Sequence, residues 1–60
     1  MTIEELKGFN GHEVTEEQFK EIEECDFTDE IEDCGLSPMY PTLNWFIVKL
    51  TNGEEINIFG

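Results

Sequence analysis

The chain has 60 residues, with 15 Asp and Glu against three Lys and no Arg, and a formal net charge of −12. Direct binding of DNA, RNA or an anionic membrane needs a basic patch, which Lys7, Lys20 and Lys49 are too few and too scattered to supply. A chain of this size forms one domain, residues 1–60, and buries only about 60% of its unfolded surface, so an enclosed enzyme site is disfavoured. Disorder is opposed by an apolar content of 38%, which includes Phe9, Phe19, Phe27, Tyr40, Trp45, Phe46 and Phe59 and no Ala. Met1 is followed by Thr-Ile-Glu-Glu, with neither a basic leader nor an apolar run of spanning length, so the cytoplasm is the expected location.

Thr2 and Glu5 have capping-box spacing, and Gly8 suits a left-handed stop, so a short helix is predicted over residues 3–7. Ile3 and Leu6 face inward on it, and Phe9 packs back against its end. Asn10-Gly11-His12 reads as a turn. Thr15 and Gln18 form a second capping box, Val14 and Phe19 have hydrophobic-staple spacing, and Glu16 and Glu17 suit the positive end of a helix dipole. A helix is therefore predicted from Glu16 to about Glu24, with Phe19 and Ile22 on its buried face. Phe27, Ile31 and Cys34 recur at i, i+4, i+7, between a possible Thr28 cap and a Gly35 stop. That spacing suggests a third short helix, with an irregular or extended acidic segment as the alternative.

Residues 36–42 hold Pro38 and Pro41 and read as an ordered loop anchored by Met39 and Tyr40. Residues 43–50 and 54–59, separated by Thr51-Asn52-Gly53, read as a β-hairpin. A three-residue loop with Gly53 left-handed pairs Leu50 with Glu54, Val48 with Ile56 and Phe46 with Ile58 on one face. On the other it pairs Lys49 with Glu55, Ile47 with Asn57 and Trp45 with Phe59. A two-residue loop would set Val48 against Asn57 and Lys49 against Ile56, so the first register is preferred. The expected fold is thus α+β, two or three short N-terminal helices packed on a C-terminal antiparallel hairpin. Trp45, Ile47 and Phe59 are left on the hairpin's second face, either covered by residues 25–42 or free as an apolar contact face.

No residue pattern specifies a catalytic, cofactor or metal site. Cys25 and Cys34 lack paired metal-ligand spacing and are expected to be reduced thiols. His12, the one histidine, has no nucleophile at a telling spacing. The acids of residues 26–33 lack the alternation and central Gly of an EF-hand loop. Charge asymmetry is the informative feature: residues 1–35 hold thirteen of the fifteen acids and two of the three lysines. Glu17, Glu21 and Glu24 fall at i, i+4, i+7, with Glu13 just ahead, placing like charges about 5–6 Å apart along one helix face at a cost to helix stability. A carboxylate row of that kind approximates the charge line of a nucleic-acid strand, which advances about 3.4 Å per phosphate.

In size, charge and economy the whole chain resembles the small acidic inhibitors that phages and mobile elements make against host nucleic-acid enzymes: anti-CRISPR, anti-restriction and uracil-glycosylase inhibitor proteins. That resemblance implies a stoichiometric, non-enzymatic blocker acting in the host-cell cytoplasm, a monomer or weak homodimer whose partner is a basic nucleic-acid-binding protein. The acidic block then supplies the expected contact set: Glu13, Glu16, Glu17, Glu21, Glu24, Asp26, Asp29, Glu30, Glu32 and Asp33. The competing expectation is an interaction or dimerisation module that uses Trp45, Ile47 and Phe59, its acids serving solubility.

Self-repulsion at this net charge should weaken the fold where it is least screened. The melting temperature is expected to rise as NaCl goes from about 10 mM to about 500 mM. A flat or falling profile in differential scanning fluorimetry would contradict that account.

Overall fold

The computed structural model describes all 60 residues and contains helix α1 (Ile3–Gly8), strand β1 (His12–Glu13), helix α2 (Glu16–Glu24) and strands β2 (Thr28–Leu36), β3 (Asn44–Leu50) and β4 (Glu55–Phe59). The four strands form one mixed sheet in the order β1-β4-β3-β2, with β1 parallel to β4 and the other neighbours antiparallel. The fold is α+β, but its sheet is twice as wide as a hairpin.

Both helices start where their capping boxes place them. The Thr2 hydroxyl accepts from the Glu5 amide at 3.2 Å while the Glu5 carboxylate accepts from the Thr2 amide at 3.1 Å. Thr15 and Gln18 repeat the exchange at 3.2 and 2.9 Å. Each box satisfies two N–H groups that a helix start leaves without partners. The end of α1 departs from expectation: Gly8 lies inside the helix, Phe9 caps it in a right-handed conformation, and the left-handed glycine is Gly11, φ 80°. At the far end of α2 the Thr28 hydroxyl donates to the Ile22 carbonyl at 2.6 Å.

The β3–β4 hairpin adopts the three-residue-loop register, with Trp45 opposite Phe59, Phe46 opposite Ile58, Ile47 opposite Asn57, Val48 opposite Ile56 and Lys49 opposite Glu55. Gly53 takes φ 89°, and the Leu50 amide donates to the Glu54 carbonyl at 2.8 Å. Lys49, however, directs its ammonium to Glu30 on β2, at 3.9 Å, rather than to Glu55.

Residues 28–36 are a strand and not a third helix. Paired with β3, Ile31 lies opposite Val48 and joins the core, while Glu30 and Glu32 lie opposite Lys49 and Ile47 on the outer face. The helical spacing of Phe27, Ile31 and Cys34 is accidental: Phe27 and Cys34 are exposed. Gly35, φ 83°, serves the irregularity between Asp33 and Leu36 instead of ending a helix. His12, read as part of a turn, and Glu13, just ahead of α2, form β1, held by the Gly11 amide on the Asn57 carbonyl and the Val14 amide on the Phe59 carbonyl, both 2.7 Å.

Leu6, Val14, Ile22, Val48, Leu50, Ile56 and Ile58 are the buried core, with Phe19, Ile31 and Phe46 packed against it. The Phe19 and Phe46 rings meet at 4.8 Å, α2 against the sheet. The second sheet face is covered in part by the chain's own residues 37–43. The Tyr40 ring packs edge-on to Phe59 at 5.1 Å, leaving Phe59 6% exposed, while Trp45 and Ile47 remain half-buried. Met39, an expected anchor of this loop, is 70% exposed; the buried anchor is Ser37, whose hydroxyl accepts from the Met39 and Tyr40 amides.

With so few buried side chains, each one matters. Ile58→Ala is expected to cost about 2–5 kcal/mol, comparable to the whole stability of a domain this small, and to leave the chain largely unfolded by circular dichroism. Met39→Ala, at an exposed position, should change the melting temperature little.

Candidate protein-interaction surface

The topology turns the acidic block into a path around the molecule. Helix α2 leaves β1 at one sheet edge and delivers the chain to β2 at the other. Nine residues of helix rise about 13 Å, close to the roughly 14 Å from the first to the last of four strands. Carboxylates therefore run from Glu13 on one edge, along α2 through Glu16, Glu17, Glu21 and Glu24, to Asp26 and the β2 residues Asp29, Glu30, Glu32 and Asp33 on the other.

All ten expected contact residues are exposed. They do not form one compact patch: Glu13 stands on the edge opposite β2, and on β2 the acids divide between faces, Glu30 and Glu32 outward and Asp33 beside Phe46 on the helix-bearing side. Glu21, Glu24 and Asp26 do come together. They rim a depression of about 340 Å³ whose remaining wall is Met1, Cys25 and Phe27. Three carboxylates beside the side chains of Met1, Cys25 and Phe27 suit a long cationic side chain, whose head the carboxylates attract and whose stem the apolar atoms can contact. Glu23, outside the expected set, is also exposed on the last turn of α2.

Electrostatically, the first turn of α2 is favoured by Glu16 and Glu17, and the rest of the helix is arranged against its own stability. Glu17 and Glu21 repel at helix spacing, and the last turn holds Glu23 and Glu24 at the negative end of the dipole with no basic residue to offset them. The structure contains two ion pairs, Lys7–Glu54 at 3.3 Å and Lys49–Glu30, and neither involves α2. Glu54 is held below the usual carboxylate range, first by the Asn52 side-chain amide and then by Lys7. That carboxylate is tied into the fold by Asn52 and Lys7, whereas no carboxylate of α2 has an ion-pair partner.

Cys25 and Cys34 are both free thiols. Reduced hydration, then the charges of Glu32 and Asp33, push the Cys34 thiol above its ordinary range, which keeps thiolate scarce at neutral pH. His12 lies exposed on β1, and no three Asp, Glu, His or Cys side chains converge to hold a metal ion. No helix is long and apolar enough to cross a membrane. On the outer sheet face a cleft of about 380 Å³ lies among Pro38, Met39, Trp45, Phe59, Asn10 and Asn57, and Trp45 Nε1 donates across it to Asn57 Oδ1 at 2.9 Å.

No family model, curated protein or solved structure matches this chain.

Reversing one α2 charge tests the electrostatic account of the helix. Glu21→Lys exchanges repulsion with Glu17 and Glu24 for two attractive pairs and is expected to stabilise the fold by about 1 kcal/mol. The melting temperature should then rise by about 4–8 °C, more at low salt than at high. A lower melting temperature would show that Glu21 supports the fold.

Proposed function

We propose that this protein is a stoichiometric inhibitor that offers an acidic, nucleic-acid-like surface to the basic groove of a host nucleic-acid-binding enzyme. An effector of CRISPR defence is the leading instance, and a restriction or repair enzyme would present the same chemistry. One observation carries the reading: the acids of α2 are exposed and unpaired, and those of its last turn, Glu21, Glu23 and Glu24, are placed where they weaken their own helix. Solubility alone does not call for carboxylates at the negative end of a helix. A partner lined with Lys and Arg turns the same placement into attraction, with fast, steered and salt-sensitive association. The carboxylate-rimmed depression at Glu21, Glu24 and Asp26 supports it further, as a seat for one basic side chain of that groove.

A second reading draws on the apolar residues left outside the core. Met39 in the Trp45–Phe59 cleft and Leu36 at the end of β2 are each 70% exposed, and they suit a protein contact in which the acids only keep the chain soluble. Salt separates the two, because screening weakens the first kind of binding and leaves the second almost unchanged.

A tagged chain incubated with host lysate at about 50 mM and about 500 mM salt, with and without competing DNA, tests the proposal. The expected result is a nucleic-acid enzyme retained at low salt, released at high salt and displaced by DNA. The combined Glu17→Lys, Glu21→Lys and Glu24→Lys variant should lose that enzyme while keeping its circular dichroism spectrum. Retention by the variant, or a partner that persists at high salt and is lost on Trp45→Ala, would refute mimicry and favour the apolar face.

A further inference from the structure

The two edges of the sheet are unlike. β1 is two residues long, whereas β2, the other edge, is nine residues long and has no element beyond it. Its free backbone groups follow from the hydrogen bonds of β3. The amides of Asn44 and Leu50 donate toward β4, to Gly60 and Glu54, while the Thr51 amide donates toward β2, to the Phe27 carbonyl. Alternation along β3 then aims Ile47 and Lys49 at β2, where their partners are Glu32 and Glu30. Ile31 and Asp33 consequently turn their N–H and C=O groups outward, to the open edge. Irregularities between Thr28 and Glu30 and between Asp33 and Leu36 bracket this stretch. At the second of these the Gly35 amide is already held by Asp33 Oδ1 at 2.8 Å.

We infer that the open edge of β2 accepts a short extended segment rich in Lys or Arg as an added strand, with Ile31 and Asp33 supplying the backbone bonds. The inference rests on the proposed basic partner and names how part of it is gripped. Charge complementarity decides the occupant. Edges of this length are an aggregation hazard, and natural sheets guard them with charges and bulges. Here the guard is of one sign: Asp29, Glu30, Glu32 and Asp33, all exposed, with Lys49 alone nearby. A second copy of β2 would set carboxylate against carboxylate across the new ladder and is repelled. A strand with basic residues opposite Glu30 and Glu32 meets attraction at the same positions, while main-chain bonds supply affinity that does not depend on its exact sequence.

The edge can be tested without the partner, using an alternating Lys-Val decapeptide and the same peptide N-methylated at alternate residues. The unmodified peptide is expected to slow amide hydrogen exchange at Ile31 and Asp33 by at least about tenfold, and the N-methylated one to leave it unchanged. In the protein, Asp33→Ala and Asp33→Pro both remove the charge and the acceptor of the Gly35 amide, but only the proline removes the outward N–H. Asp33→Pro should therefore bind the unmodified peptide about tenfold more weakly than Asp33→Ala. Equal slowing by both peptides, no slowing by either, or protection confined to α2 would overturn strand addition. None of these outcomes touches the mimicry proposal, which stands or falls on enzyme capture by the α2 charge-reversal variant.

Discussion

Leu6 and Ile22, one from each helix, are fully buried with Val48 and Ile58 of the central strands, and this contact holds the helices to the sheet. It has to withstand the mutual repulsion of a chain with a net charge of −12. Packing and charge are kept apart to make that feasible. The part from residue 36 onward, which holds the β3–β4 hairpin, has only Glu54 and Glu55 as acids, and Glu54 is matched by Lys7. Repulsion therefore falls on α2 and β2, which ring the core, more than on the hairpin that forms its floor.

Helix α2 is the element in which these demands meet. Ile22 and Phe19 fix one side of it to the sheet, and this anchoring lets the opposite side hold a charge pattern that an isolated helix would not tolerate. Because its length matches the width of the sheet, the helix also joins the two edges and makes one circuit of acids from Glu13 to Asp33. An ordered, packed helix beneath the charges matters for any partner that reads their spacing, since its backbone need not be ordered on binding.

What the sequence made legible was local. The two capping boxes and the hairpin register each depend on residues close in the chain, and each is found where the residue types require it. β2 was obscured because its identity depends on β3: Asp and Glu have low strand propensity, and Ile31 is its one side chain packed on the core. β1 had no local signal at all, since two residues become a strand only by lying against β4. For the candidate surface, exposure of the acids could be read from composition. Their division between two edges and a helix could not, because it follows from strand order. The cover over Phe59 likewise came from Ser37 and Tyr40 and not from the more hydrophobic Met39.

Strand order also has a consequence in time. β4, the last strand in the chain, lies inside the sheet between β1 and β3, and it contributes Ile56 and Ile58 to the core. Until residues 55–59 have left the ribosome, β1 has no partner, and Leu6 and Val14 lack Ile56 and Ile58 beside them in the core. The sheet can therefore close only after the whole acidic half has emerged. Repulsion among its thirteen acids opposes association between neighbouring unfinished chains during that interval.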